Sequence, residues 1–259
     1  MSASALIADV KSRVMGEPVY LAGSLMAELT YGKDNAHHDV DLFCPTPQVL
    51  ISVGQKLLGQ GFKFDDRMDR VWHRWMRYGF KTWHTNSLRL VSPEGVDYNV
   101  VYKLTDGHPT TSLAQVLESF DFGLLGTGIE LESGMHRDLR PYLFPGYDLD
   151  GALPMMPNKW DQWAGGFISR YNGLREIGRY AKYHSYGYDM SLVKDQLVQG
   201  YRMAALYLCD CFEQEKQDLG KIYEVIAAHL EWDNITELAE ASKKIDYNDQ
   251  LDVIMAALE

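Results

Sequence analysis

Residues 19–43 place their features in an order that few folds can accommodate. An apolar run at 19–22 ends on Gly23 and Ser24, and a helix-compatible stretch at 25–31 closes at Gly32. A second apolar run follows at 40–43, interleaved with Asp39 and Asp41. Side chains on a strand alternate between its faces, so Asp39 and Asp41 share one face while Val40 and Leu42 turn to the other. The apolar face requires a core. The acidic face sets two carboxylates side by side, which repel each other and stay ionised together only beside a cation. Oxygen donors of this kind favour Mg2+ or Mn2+. At the junction of strand and helix, glycine lets a phosphate approach the backbone. The unpaired N–H groups of the first helical turn point toward it, and Ser24 adds a hydroxyl donor.

The flanking segments read as further α/β elements. Residues 4–15 form an amphipathic helix with Ser2 or Ser4 as cap and Gly16 as stop, and residues 47–58 a second one with Thr46 as cap and Gly59 as stop. Residues 80–91 and 96–104 pattern as two strands joined by a turn at Pro93-Glu94-Gly95. A short helix at 113–119 and a glycine-rich strand at 122–131 complete this part. Residues 133–158 are rich in Gly and Pro and lack a period. Only helical patterns follow. Trp160, Trp163, Phe167, Tyr171 and Leu174 recur at steps of three and four, and helices are predicted over 190–217, 219–231 and 234–258. The predicted organisation is an α+β domain at 1–135 with a mixed sheet flanked by helices, a linker at 136–158, and an all-helical domain at 159–259.

The strand, Gly-Ser, short helix and Asp-x-Asp arrangement at 17–45 resembles the signature of the DNA polymerase β-like nucleotidyltransferase superfamily. Gly23, Ser24, Asp39, Val40, Asp41 and Leu42 match that pattern position by position. The fourteen residues between Ser24 and Asp39 are slightly more than usual, and Lys33-Asp34-Asn35-Ala36 reads as the loop that absorbs them. The resemblance implies a third carboxylate on a strand beside Asp39 and Asp41, completing a two-metal site and helping to deprotonate the attacking hydroxyl. Asp97, on an alternating strand after a turn, is the expected residue, and its carboxyl should converge with the other two. Asp121 is the competing candidate. Gly23 and Ser24 would bind the triphosphate of an NTP, ATP among them. His37 and His38 read as solvated residues at a strand start.

Two basic stretches extend this reading. Residues 70–84 interleave Arg70, His73, Arg74, Arg77, Lys81 and His84 with Trp72, Trp75, Tyr78 and Trp83, a pattern equally suited to nucleic-acid stacking and to a hairpin with snorkelling cations. Arg175, Arg179 and Lys182 stand at steps of four and three and so share a helical face. The segment at 173–188 is faintly similar to the arginine-rich helix that follows the head domain of poly(A) polymerases and CCA-adding enzymes. That similarity implies nucleotide contact by these three residues, with an RNA or tRNA 3′ end as acceptor. Members acting on proteins or small molecules, and a non-catalytic nucleotide- or partner-binding module, are the alternative readings.

Composition narrows the remaining classes. The net charge of −11 argues against a protein that coats duplex DNA, but residues 210–259 carry thirteen acidic against four basic side chains and hold most of that excess. The preceding part is near neutral and compatible with a nucleic-acid groove. Three cysteines, Cys44, Cys209 and Cys211, suit reduced thiols better than a disulfide framework or a zinc site. Asp9, Lys11 and Arg13 interrupt the N-terminal apolar residues, and no window approaches the roughly 18 apolar residues of a membrane span. A soluble cytoplasmic protein is expected.

Overall fold

The structure is a computed structural model that describes residues 2–33, 39–65, 85–105, 108–164, 172–210 and 214–231. The chain divides into two compact units, Met1–Phe120 with Leu124–Tyr142, and Asp121–Gly123 with Leu143–Glu259.

In the first unit, helix α1 (Ala3–Arg13) begins where the Ser2 hydroxyl accepts the Ala5 N–H at 3.4 Å. Strand β1 (Tyr20–Ala22) leads through Gly23 into α2 (Ser24–Tyr31), which Gly32 ends in the left-handed conformation. Strand β2 (Asp39–Phe43) follows, then α3 (Pro47–Gly59), capped by Thr46 Oγ1 accepting the Val49 N–H at 3.2 Å. Next come β3 (Lys63–Phe64), β4 (Thr85–Val91), β5 (Asp97–Thr105), β6 (His108–Pro109) and α4 (Leu113–Glu118). Strands β7 (Thr127–Glu130) and β8 (His136–Asp138) complete a mixed sheet of order β3-β4-β5-β2-β1-β7-β8, with β6 pairing β5. Among these pairings β2–β5 is parallel and the others are antiparallel.

The core follows from strand alternation. Val40 and Leu42 are fully buried on one face of β2, beside Tyr98 and Val100 of β5, and join Leu21 of β1, Val10 of α1, Leu25 of α2 and Leu50 of α3 in one cluster. Leu42→Ala removes a side chain with no exposed surface and is expected to destabilise the fold by about 2–5 kcal/mol. In urea the midpoint should fall with little change in slope. On the opposite face, Ala22 and Phe43 pack against Leu113, Val116 and Leu117 of α4. Gly128 permits this approach, since a Cβ there would meet Leu113 at 2.7 Å.

Several sequence expectations need correction. The run at 122–131 is no continuous strand: Gly123–Leu125 form a 3-10 turn and only Thr127–Glu130 pair in the sheet. The segment read as linker contains β8, paired with β7, and the four-residue helix α5 (Arg140–Leu143). An ion pair orders it. Arg140 donates to Asp138 at 2.8 and 2.9 Å and lies over the Tyr31 ring at 5.2 Å. Burial alone would push the Asp138 carboxyl up, yet the hydrogen bonds and charge of Arg140 hold it below its ordinary value.

The second unit contains α6 (Pro157–Ala164), α7 (Asn172–Ser185), α8 (Ser191–Cys209) and α9 (Gln214–Glu231). Tyr201 of α8 meets Tyr223 of α9 edge-on at 5.4 Å, and Ala204, Ala205, Ile226, Ala227 and Leu230 bury the seam between these helices. The helix expected over 190–217 ends instead at Cys209, and the one expected over 219–231 spans Gln214–Glu231. Residues 70–84 with their basic and aromatic side chains, His37 and His38, Phe167, Tyr171, and the helix expected over 234–258 lie outside the described residues.

Candidate functional site

The acidic face of the sheet is built by register. In the parallel pairing of β2 with β5, Asp39 stands opposite Asp97 and Asp41 opposite Asn99. Partners in register point to the same side, so three carboxylates and one amide share the face that Val40, Leu42, Tyr98 and Val100 do not occupy. Asp39 and Asp41 are half-buried and Asp97 is exposed. Farther along this face Phe43 and Val101 belong to the apolar cluster with α4, so the polar patch lies at the strand starts. The next register position beyond Asn99 is Arg89 of β4, an exposed cation that sequence reasoning did not single out.

The turn after β1 completes the patch. Gly23 has φ 92° and ψ −150°, a region essentially restricted to glycine. A Cβ at this position would lie 2.5 Å from Asp41 Oδ2, so the missing side chain is what lets the carboxylate sit over the turn. Ser24 opens α2 and is only 8% exposed, and its Oγ has no hydrogen-bond partner among the described residues. Among the described residues no side chain caps α2 at Gly23. A buried hydroxyl without a partner costs about 1–3 kcal/mol, so an acceptor bound at this turn would recover that loss.

The side chains do not close as the sequence implied. Among the described residues no three His, Cys, Asp or Glu side chains gather into a group that could hold a metal ion. Asp41 Oδ1 accepts from Asn99 Nδ2 at 3.0 Å, and its Oδ2 lies over Gly23. The donor set still suits Mg2+ or Mn2+ in kind, being made of carboxylate oxygens.

Asp121, the competing third carboxylate, is a residue of the second unit and is engaged there. It is 4% exposed and forms ion pairs with Arg179 of α7 and, at 3.8 Å, with Lys159 of α6. Arg175 and Lys182 also lie on α7, with Lys182 Nζ 5.8 Å from the centre of the Tyr186 ring. Asn99 is the residue that sequence reading missed altogether, because an asparagine on a strand signals nothing until its cross-strand partner is known.

No model of a known protein family matches the chain, and no curated protein matches it. Solved structures do resemble it in outline. A tRNA-processing enzyme is 15% identical, with 97% of this chain and 57% of that one covered at a TM-score of 0.49. The structure of a tRNA-processing enzyme with CTP is likewise 15% identical, covering 96% and 57% at 0.46. The CCA-adding enzyme of Thermotoga maritima in complex with tRNA is 12% identical, covering 99% and 69% at 0.45. The chain thus spans little more than half the length of the first two. Values this low decide neither substrate nor chemistry. The α+β architecture, a mixed sheet flanked by helices, stands on the strand pairings themselves.

Proposed function

We propose that this chain is a divalent-cation-dependent nucleotidyltransferase, moving a nucleoside monophosphate from an NTP to an acceptor hydroxyl. The observation that carries the reading is the parallel pairing of Asp39 with Asp97, with Asp41 on the same face. Asp39, Asp41 and Asp97 are the residues that would hold Mg2+ or Mn2+. When bound, such a cation offsets the charge of the triphosphate and of the phosphoryl group in transfer. Gly23 and Ser24 take the triphosphate: the open backbone of the turn admits it, and the buried Ser24 hydroxyl donates to a phosphate oxygen. Asp97, the more exposed carboxylate, accepts the proton of the attacking hydroxyl. The acceptor oxygen bonds to the α-phosphorus as the bond to pyrophosphate breaks.

An RNA 3′ end is the acceptor we favour, on the resemblance of residues 173–188 to the arginine-rich helix of RNA-tailing enzymes. Arg175 and Lys182 would then meet the nucleotide or the RNA end. Arg179 joins them only if it leaves Asp121, its present ion-pair partner. A cytoplasmic location is part of this reading. No helix among the described residues is long and apolar enough to cross a membrane.

One observation favours a second reading, nucleotide binding without turnover: the absence, among the described residues, of three gathered metal-binding side chains. Each radiolabelled NTP, incubated with Mg2+ and either total RNA or total protein, separates the readings. Labelled RNA is the expected result. Labelled protein would move the acceptor to a side chain, and NTP retention without transfer would favour the binding module. In the same system, NTP affinity should rise about tenfold or more when Mg2+ or Mn2+ is added, because phosphate oxygens complete the cation's shell. Equal affinity with and without metal would count against the site.

A further inference from the structure

The acidic face contains a polar side chain to which the reaction described above gives no part. We propose that Asn99 is a positioning residue for Asp41, an inference that rests on the nucleotidyltransferase reading. Asn99 stands opposite Asp41 in the parallel register and is half-buried, and its Nδ2 donates to Asp41 Oδ1 at 3.0 Å. The other carboxylate oxygen lies over Gly23, where a Cβ would come within 2.5 Å of it. Asp41 is therefore held by a donor on β5, and its other oxygen fills the space that the missing side chain of Gly23 leaves open at the turn after β1. A carboxylate on an unrestrained side chain turns about two torsions. One whose first oxygen is bonded presents the second in a single direction, toward the turn that leads to Ser24.

The residue type fits this work. A carboxylate at position 99 would add a fourth negative charge to a face that already holds Asp39, Asp41 and Asp97, and an apolar residue would release Asp41. A lysine or arginine would pair with Asp41 and compete with a cation for it. Asparagine supplies an N–H and no charge. Partners that orient metal-binding carboxylates typically change metal affinity or activity by about 10–100-fold when removed.

The test uses the full chain and Asn99→Leu, which keeps the shape of the side chain and removes its donor. Water-proton relaxation enhancement with each Mn2+–NTP pair reads the protein-bound ion without requiring turnover. Asn99→Leu is expected to weaken Mn2+–NTP binding about tenfold and to lower kcat about 10–100-fold, with the melting temperature little changed. A role in folding alone would lower the melting temperature and leave the affinity of the folded protein intact, and that result would overturn the proposal. Wild-type affinity and kcat in the variant would overturn it too, while leaving the transferase reading in place. If the wild-type protein itself gave neither enhancement nor transfer, both would fall. Should Asn99→Leu fail to fold, Asn99→Ser, whose hydroxyl is shorter than the amide, takes its place with the same expected losses.

Discussion

Asp39→Ala and Asp41→Ala are each expected to reduce nucleotidyl transfer by roughly a thousandfold or more, which corresponds to about 4 kcal/mol of transition-state stabilisation. Neither side chain supports the core. Their strand is anchored through Val40 and Leu42, both fully buried, and through backbone pairing with β1 and β5. Replacing either aspartate leaves those contacts intact and removes one of the carboxylates that repel one another across the strand pair, though Asp41→Ala also gives up the hydrogen bond from Asn99. Stability of the metal-free protein should therefore hold or rise by a few tenths of a kcal/mol in Asp39→Ala, and in Asp41→Ala the lost bond offsets that gain. The paired measurement is transfer of labelled NTP and urea unfolding of the same preparations. Activity lost with stability retained supports the catalytic assignment. Near-normal turnover in either variant would remove it, and activity lost together with the fold would assign the residues to structure.

Much of this site could be read before any coordinates, because its first half is local. Gly23, Ser24, Asp39 and Asp41 lie within twenty residues, and their order alone specifies strand, turn, helix and strand. The helix ends were equally local: Ser2 and Thr46 cap their helices, and Gly32 ends α2. What could not be read is whatever depends on distant pairing. Asp97, on an alternating strand after a turn, is the expected third carboxylate and Asp121 the competitor, but the sequence does not show their pairing. A parallel register 58 residues apart puts Asp97 opposite Asp39, and Asp121 pairs with Arg179. Asn99 was invisible for the same reason. Residues 122–131 misled in another way. They read as a glycine-rich strand, but the first part turns, and Gly128 serves the close approach of α4. The two residues of β3 and the three of β8 are too short to show a period, so neither edge of the sheet was read as a strand.

Gly23→Ala is expected to combine a modest loss of stability with a much larger loss of activity, and that disproportion tests the architecture of the site. The backbone at φ 92° and ψ −150° disfavours any side chain by about 1–3 kcal/mol. The added methyl would also stand 2.5 Å from Asp41 Oδ2 and 3.3 Å from its Cγ. The carboxylate is the far end of a short side chain, so it would give way before the strand does. Turning aside, it would leave its hydrogen bond with Asn99 and vacate the direction in which it faces the turn. Transfer should fall at least a hundredfold while the protein still unfolds cooperatively. Gly32→Ala provides the control. Gly32 is also left-handed, at φ 60°, but nothing among the described residues lies within 4 Å of its would-be Cβ. It should cost about 1 kcal/mol of stability and leave transfer unchanged. Equal activity losses in the two variants would mean that backbone strain alone is responsible, and that Asp41 is not positioned by the open side of Gly23.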